Sequence, residues 1–306
     1  MQNIVIVGAG AMGCYFAARL GESGLAVTLV DIDPVRLEIL SREGIRISDD
    51  RGERVVPIQA MRAQDVGPGA DLVMLFTKGM HSAAAARSIA HLADGHCYAL
   101  TLQNGLGNAE ILADIFTPAR VLMGVTDIPA DLDGANSVAS HGQGRIRLGH
   151  MVAGSLAVAQ QAVRMFVRSG MLAEADAAIQ TAIWEKAAFN AALNALATVS
   201  GATVGEMDHP AGHRIINAVI AEVAATAEAA DVPVDRQRIC EKVEFALAHH
   251  RSHQASMLQD MLAGRPTEIE SINGAIIRIA AQAGIATPVT STLADMVRLM
   301  GANRSR

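Results

Sequence analysis

Ile4-Val5-Ile6-Val7-Gly8-Ala9-Gly10-Ala11-Met12-Gly13 is the stretch from which the fold of the chain can be read. A four-residue apolar run leads straight into Gly-x-Gly-x-x-Gly, and Cys14–Leu20 behind it reads as helix. Each glycine has its own duty. Gly8 allows a tight turn, Gly10 lets the backbone approach a pyrophosphate, and Gly13 lets helix and strand pack closely. Gly8, Ala9, Gly10, Ala11, Met12 and Gly13 are therefore the predicted phosphate cradle, with the first amides of the helix facing the anion. Glycine is common and the pattern alone is weak; a tight turn without ligand is the bland alternative. The strand before it and the helix after it favour a dinucleotide.

Outward from that loop, Val27-Thr28-Leu29-Val30 ends on Asp31, where a carboxylate can accept hydrogen bonds from an adenosine ribose. The same charge would repel a 2′-phosphate, so NAD is favoured over NADP. Further apolar runs follow at Leu72–Phe76, Tyr98–Leu102 and Val121–Val125, separated by helix-like sequence. Short continuous apolar runs suit strands buried on both faces, and their alternation with helices suits a parallel, doubly wound sheet. Ser137–His141 and Arg145–Leu148, joined by Gly142-Gln143-Gly144, read as a hairpin at the sheet edge. Val158–Arg168 reads as helix and Ala173–Ala175 as a last short strand.

Beyond Ala178 the strand-like runs stop. Helices are expected at Ile179–Val199, His213–Ala230, Arg236–His250, Ser256–Leu262, Glu268–Ala283 and Thr290–Met300, punctuated by Gly or Pro. The fold class is α/β: an N-terminal doubly wound sheet (1–178, dinucleotide binding) followed by an all-α domain (179–306, substrate and catalysis), expected to abut at a cleft.

Composition narrows the function. Of 306 residues, 51% are apolar and 18% charged, which favours a sizeable core over disorder. A net charge of −6 without a basic run argues against nucleic acid. The longest uncharged stretch, Ala187–Gly205, has the length of a membrane span but contains Asn190, Asn194, Thr198, Ser200 and Thr203, so it reads as a buried helix and no membrane is expected. The opening Met1-Gln2-Asn3-Ile4-Val5 lacks the basic stretch of a secretory leader, and Cys14, Cys97 and Cys240 are scattered, so a cytoplasmic protein with reduced thiols is expected. His249-His250-Arg251-Ser252-His253 is read as a helix end, and no metal is expected. The apolar second domain permits a homodimer without demanding one.

Within Trp184–Asn194, Lys186, Asn190 and Asn194 fall at i, i+4 and i+8 on one helix face, with only apolar residues between them. Such a stripe either satisfies buried partners or lines a site. A half-desolvated lysine there can protonate a carbonyl oxygen as hydride reaches its carbon. Two core asparagines beside a snorkelling lysine are the bland alternative. Near the C-terminus, Thr267 and Glu270 have capping-box spacing, which occupies Glu270 at a helix start and leaves Glu268 free to face a lysine.

Taken together, these residues resemble the ketopantoate reductase family over nearly the whole chain. The resemblance is carried by the glycine loop at residue 8, Lys78, Gln103-Asn104-Gly105-Leu106-Gly107, the Lys186/Asn190/Asn194 helix, Ser256-Met257-Leu258-Gln259-Asp260, Thr267-Glu268-Ile269 and Ile272-Asn273-Gly274. It implies a Rossmann domain followed by a helical one, and a nicotinamide-dependent hydride transfer between a 2-oxo acid, 2-dehydropantoate or a relative, and the 2-hydroxy acid. It also implies roles: Lys186 as general acid, Glu268 orienting the lysine and the substrate hydroxyl, and Asn190, Asn194 and Ser256 on the substrate. Asn104 and Lys78 would sit between cofactor and substrate.

Two departures bear on substrate and cofactor. The family typically uses NADPH and tends to carry a basic residue where this chain has Asp31. Val204 stands before Gly205-Glu206, where the biosynthetic enzymes often have asparagine. An NAD-dependent catabolic hydroxy acid dehydrogenase with a substrate other than pantoate is therefore an open alternative. So is a shift to amino-linked acids, as in opine-type enzymes. A non-catalytic NAD(H) sensor is the alternative from another class, and the polar stripe argues against it.

Overall fold

The computed structural model describes residues 1–152 and 156–304. Its contacts divide the chain into two compact units, one made of Met1–Gln103 with Asn108–Ile179, the other of Asn104–Gly107 with Gln180–Arg306.

The first unit runs β1 (Asn3–Val7), α1 (Ala11–Glu22), β2 (Ala26–Val30), α2 (Pro34–Glu43), β3 (Ile45–Asp49), β4 (Gly52–Val56), β5 (Gln59–Met61), β6 (Leu72–Leu75), α3 (Ser82–Ser88), β7 (Tyr98–Thr101), α4 (Asn108–Phe116), β8 (Val121–Thr126), β9 (Asp131–Asp133), β10 (Ser137–Ser140), β11 (Arg145–His150), α5 (Ala157–Arg168) and β12 (Leu172–Ala175). Eight strands form one sheet in the order β12-β11-β8-β7-β6-β1-β2-β5. β1 lies between β2 and β6, parallel to both, with Ile4 opposite Val27 on one side and Leu72 on the other. The chain winds outward from β1 in one direction through β2 and β5, then in the other through β6, β7 and β8. The carboxyl end of β1 is therefore the topological switch point, where open α/β sheets bind ligands. β1 and β6 are apolar without alternation because both faces are covered: Ile4 and Ile6 are buried on one face of β1 and Val5 and Val7 on the other, and Leu72, Val73, Met74 and Leu75 are buried in the same alternating way.

The apolar runs expected to be strands are strands, and Leu172–Ala175 closes the edge. A second sheet, β4-β3-β10-β9, was not anticipated from the sequence. It corrects the expected hairpin. β10 pairs with β3 and β9, whereas β11 pairs antiparallel with β8 and parallel with β12. Gly142-Gln143-Gly144 crosses from one sheet to the other. Gly144 is there for close approach, since a Cβ at this position would stand 2.3 Å from the Ile128 Cα.

The second unit is helical: α6 (Ile179–Ser200), α7 (Pro210–Ala229), α8 (Arg236–His249), α9 (Ser256–Leu262), α10 (Asn273–Gln282) and α11 (Pro288–Arg304). Its core gathers Ala188, Ala191, Ala192, Val219, Ile220 and Ile276, small and aliphatic side chains that let helices approach closely. Among the described residues, no helix is long and apolar enough to cross a membrane.

The expected helix start at Glu268 is also corrected. Residues 268–272 form turns, and α10 begins only at Asn273. Glu270 does not cap this segment. Its carboxylate accepts from Arg298 at 2.6 and 2.9 Å and lies 3.8 Å from Arg278. The carbonyl of Ser271 meanwhile accepts from the Leu106 amide (2.9 Å), so a tertiary partner takes the backbone group that a longer helix would use. Thr203 and Glu206 supply a capping box instead, at the turn after α6.

Candidate active site

The glycine loop leaves β1 and enters α1 with Gly10 as the N-cap residue. Gly8 has φ +105°, its amide donates to the Val30 carbonyl (2.8 Å), and a Cβ there would stand 2.9 Å from the Thr77 amide. A Cβ at Gly13 would stand 1.8 Å from the Gly8 oxygen. A Cβ at Gly10 would meet nothing within 4 Å. Two glycines are thus demanded by the protein's own packing. The middle one faces open space, as a cradle for a pyrophosphate requires.

Gly8 and Gly10 line a cavity of about 430 Å³ shared with Asp31, Arg62, Thr77 and Lys78. Lys78 follows β6, and Thr77 carries a buried hydroxyl without a hydrogen-bond partner among the described residues. The residues present fit a dinucleotide: an open glycine at a helix N-terminus, a carboxylate at the end of β2 and basic side chains on the wall. Arg62 was missed in the sequence reading because it follows β5, a three-residue strand with no apolar run to signal it.

Asp31 does more than face the cavity. Its Oδ2 accepts from the Ala9 amide (2.8 Å), and its Oδ1 accepts from the amides of Ile32 (2.8 Å) and Asp33 (3.0 Å). Arg36 donates to the Ala9 carbonyl (2.7 Å). The Ala9 peptide is therefore held from both sides, and the loop is set before any ligand arrives. Burial pushes the Cys14 thiol on α1 up to about 12, so this cysteine stays protonated and inert.

In the second unit, α6 carries the polar stripe. Asn190 and Asn194 are 8% and 7% exposed, and neither side chain makes a hydrogen bond among the described residues. Lys186 is half-buried on the same stripe. Off that stripe, the fully buried Glu185 accepts from Arg238 Nε at 2.9 and 3.0 Å and lies 3.5 Å from Lys242 Nζ, which fixes the register of α6 against α8. Neither amide is sealed from water, so both remain open to a ligand.

Glu268 is half-buried at the head of the turn before α10, and Ser256 is exposed as the first residue of α9. The Asn104–Gly107 loop docks on the Glu268 turn: Leu106 donates to Ser271, and a Cβ on Gly105 (φ +89°) would stand 2.1 Å from the Ser271 oxygen. Asn104 is thereby brought to the Glu268 turn from a distant part of the sequence. Gln103, just before it, donates to the Ser82 hydroxyl (2.8 Å) and accepts from Thr101 (2.9 Å), which anchors the start of the loop. Val204 is buried, and its amide donates to the His253 carbonyl (2.9 Å). Among the described residues, no group of three or more His, Cys, Asp or Glu side chains is arranged to hold a metal ion.

Residues 4–153 match the family model described as ketopantoate reductase PanE/ApbA, and residues 178–301 match its C-terminal counterpart. The chain belongs to the ketopantoate reductase family. It is accordingly a nicotinamide-dependent oxidoreductase. A 2-dehydropantoate 2-reductase of Halobacterium salinarum is 33% identical over 97% of this chain and 98% of its own length. A D-mandelate dehydrogenase solved with NADH and anilino(oxo)acetate superposes with TM-score 0.94 at 27% identity, covering 99% of this chain and 100% of the other. A 2-dehydropantoate 2-reductase of Geobacter metallireducens gives TM-score 0.90 at 28% identity, covering 97% and 99%.

Proposed function

We propose that the protein interconverts a 2-oxo acid and its 2-hydroxy acid with Lys186 as the proton donor and acceptor, and that it prefers NAD(H). One observation carries the substrate half: the Lys186–Asn190–Asn194 stripe, on which two buried asparagines stand without protein partners. When bound, the nicotinamide supplies or accepts the hydride at C2. The residues do the rest. The Lys186 ammonium gives its proton to the ketone oxygen as the alcohol forms, and takes it back in oxidation. Asn190 and Asn194 hydrogen-bond the oxygens of the acid. Ser256 takes the carboxylate, while Glu268 and Asn104 orient the C2 oxygen and the lysine. Lys78 neutralises charge between cofactor and substrate. Gly8 to Gly13 hold the pyrophosphate, and the Asp31 carboxylate accepts from the ribose. The three free thiols accord with a reducing, cytoplasmic setting.

Asp31 and Val204 favour a second reading of the substrate. The carboxylate repels a 2′-phosphate, and an apolar side chain stands where the biosynthetic relatives often have an amide. Both suit an NAD-linked dehydrogenase of a bulkier, less polar hydroxy acid, in keeping with the likeness to D-mandelate dehydrogenase. Arg62 shares the cavity with Asp31, and a guanidinium can accommodate a 2′-phosphate, so the cofactor ratio decides between them. Steady-state kinetics with NAD(H) and NADP(H) on ketopantoate, mandelate and their redox partners test both halves. NAD(H) is expected to win by about tenfold or more, equivalent to roughly 1.4 kcal/mol of charge repulsion. Asp31→Asn should narrow that gap. A clear NADP(H) preference would refute the role given to Asp31.

A further inference from the structure

We infer that Asn273 is a positioning residue that holds the Glu268 turn against the Lys186 helix. The inference rests on the proton-transfer reading above and adds to it a residue that touches neither cofactor nor substrate.

Asn273 opens α10 and is wholly buried. Its Nδ2 donates to the carbonyl of Ala191, 3.2 Å away, inside α6. That carbonyl lies one residue beyond Asn190, between the two asparagines of the stripe. A mid-helix carbonyl already serves the helix ladder, and its second lone pair is free to take a side-chain donor. On its other side Asn273 is tied to Glu268 by the turn itself. The Ser271 and Ile272 amides both donate to the Glu268 carbonyl at 3.1 Å, and the Gly274 amide donates to the Ile269 carbonyl at 2.9 Å. One side-chain hydrogen bond thus links the turn that presents Glu268 to the helix that presents Lys186, Asn190 and Asn194.

The energetics are unusual for a core residue. Asn273 Oδ1 is buried with no hydrogen-bond partner among the described residues. The penalty for such an orphan is comparable to or larger than what the single bond to Ala191 returns. Leucine has the same branched outline of four side-chain heavy atoms and would bring no unpaired polar atom into this part of the core, which holds Ile272, Ala275 and Ile276. An amide that a packing argument would replace is better explained by geometry than by stability. What it secures is the register between the Glu268 turn and the lysine helix, which apolar contacts hold less sharply.

Asn273→Leu, with Asn273→Ser as a smaller companion, tests this on the full-length enzyme beside Lys186→Ala. The expected result is a fall of about 10- to 100-fold in kcat, the effect of misplacing catalytic groups by about an ångström. The KM for NAD(H) and the melting temperature of the leucine variant should stay near wild type, and the pH profile of kcat should shift because the lysine's carboxylate neighbour has moved. Wild-type kcat and pH profile in either folded variant would overturn the assignment. Both variants unfolding would also overturn it, since Asn273 would then be a structural anchor. If Lys186→Ala alone kept its turnover, the proton-donor reading would fall. If Lys186→Ala were dead and Asn273→Leu normal, only the positioning inference would fall.

Discussion

The two candidate binding regions, one in each unit, are made from different material. The dinucleotide cradle in the first unit is built from backbone: a φ of +105° at Gly8, a contact at Gly13 that excludes any side chain, and an open face at Gly10. The stripe in the second unit is built from side chains on a helix whose residues between Lys186 and Asn194 are otherwise apolar. Backbone sites are written in a few adjacent residues, because a turn is a local object. Side-chain sites are assembled across the chain. α6 supplies Lys186, Asn190 and Asn194, Asn273 reaches its Ala191 carbonyl from α10, and the proposed partners Asn104, Ser256 and Glu268 come from other stretches of the chain. A change in the first unit should therefore act on cofactor binding or on local folding, and a change in the second unit on turnover.

The sharpest way to break this contrast is Lys186→Ala. Loss of a general acid costs about 10²- to 10⁴-fold in turnover. Cofactor affinity, followed by NADH fluorescence titration, should hardly change, because the cradle belongs to the other unit. Equal losses in turnover and cofactor affinity would show that the two halves are not separable in this way.

Next in size are two glycine substitutions that separate packing from ligand contact within one loop. Gly13→Ala forces a methyl group to 1.8 Å from the Gly8 oxygen, so strand and helix must part. A loss of about 1–3 kcal/mol is expected from such overpacking, seen as a lower melting temperature even without cofactor. Gly10→Ala meets nothing within 4 Å and should melt like wild type. Its methyl group would occupy the space meant for a pyrophosphate, so NAD(H) binding should weaken all the same. Unchanged NAD(H) affinity in Gly10→Ala would mean that the open face at Gly10 is not where the phosphates lie.

The same distinction explains what the sequence made legible. β1, β2, β6, β7 and β8 were readable because strands buried on both faces need apolar side chains at every position. The second sheet was not. Ile45–Asp49 alternates buried and exposed residues in the way a half-covered strand does, and its partner β10 lies far along the chain. Gly142-Gln143-Gly144 looked like a hairpin turn because glycine marks both turns and close approaches. The distinction between the two lies in Ile128, which no local pattern reveals. The spacing of Thr267 and Glu270 was likewise genuine, but Arg298 holds Glu270 and the loop at Leu106 claims the Ser271 carbonyl. Within the site, the lysine stripe could be read from helical periodicity. Asn273 stood in plain view beside Gly274 without a role, because its partner Ala191 carries no chemical signature. Asp31 reads as a ribose acceptor, and nothing in its spacing points to the hydrogen bond by which its carboxylate also holds the Ala9 amide.

The smallest expected effect lies in the second unit, where a titratable bridge stands outside the stripe. His213 on α7 places Nε2 3.0 Å from Asp208 and Nδ1 3.2 Å from Glu244 of α8, and Arg251 reaches Asp208 at 3.2 Å from the segment leading to Ser256. The hydrogen bond to Asp208 and the Glu244 charge raise the imidazole above its ordinary value, although partial burial works against them. Asp208 is held below the usual carboxylate range by its bonds to His213 and Arg251. A raised histidine stabilises the fold fully below its unfolded value of about 6.5 and loses that contribution as pH rises through the folded value. A lowered aspartate contributes above its unfolded value of about 3.9 and loses that as pH falls. The bridge is therefore strongest between roughly pH 4 and 6.5. At this exposure its contribution to stability is small. His213→Gln should lower the melting temperature slightly at pH 6 and not measurably at pH 9. Were the two differences equal, the imidazolium would not be the bridging species. A loss of turnover in this variant would mean that Asp208 and Arg251 help to place Ser256, and would draw the pH-sensitive surface into the side-chain half of the site.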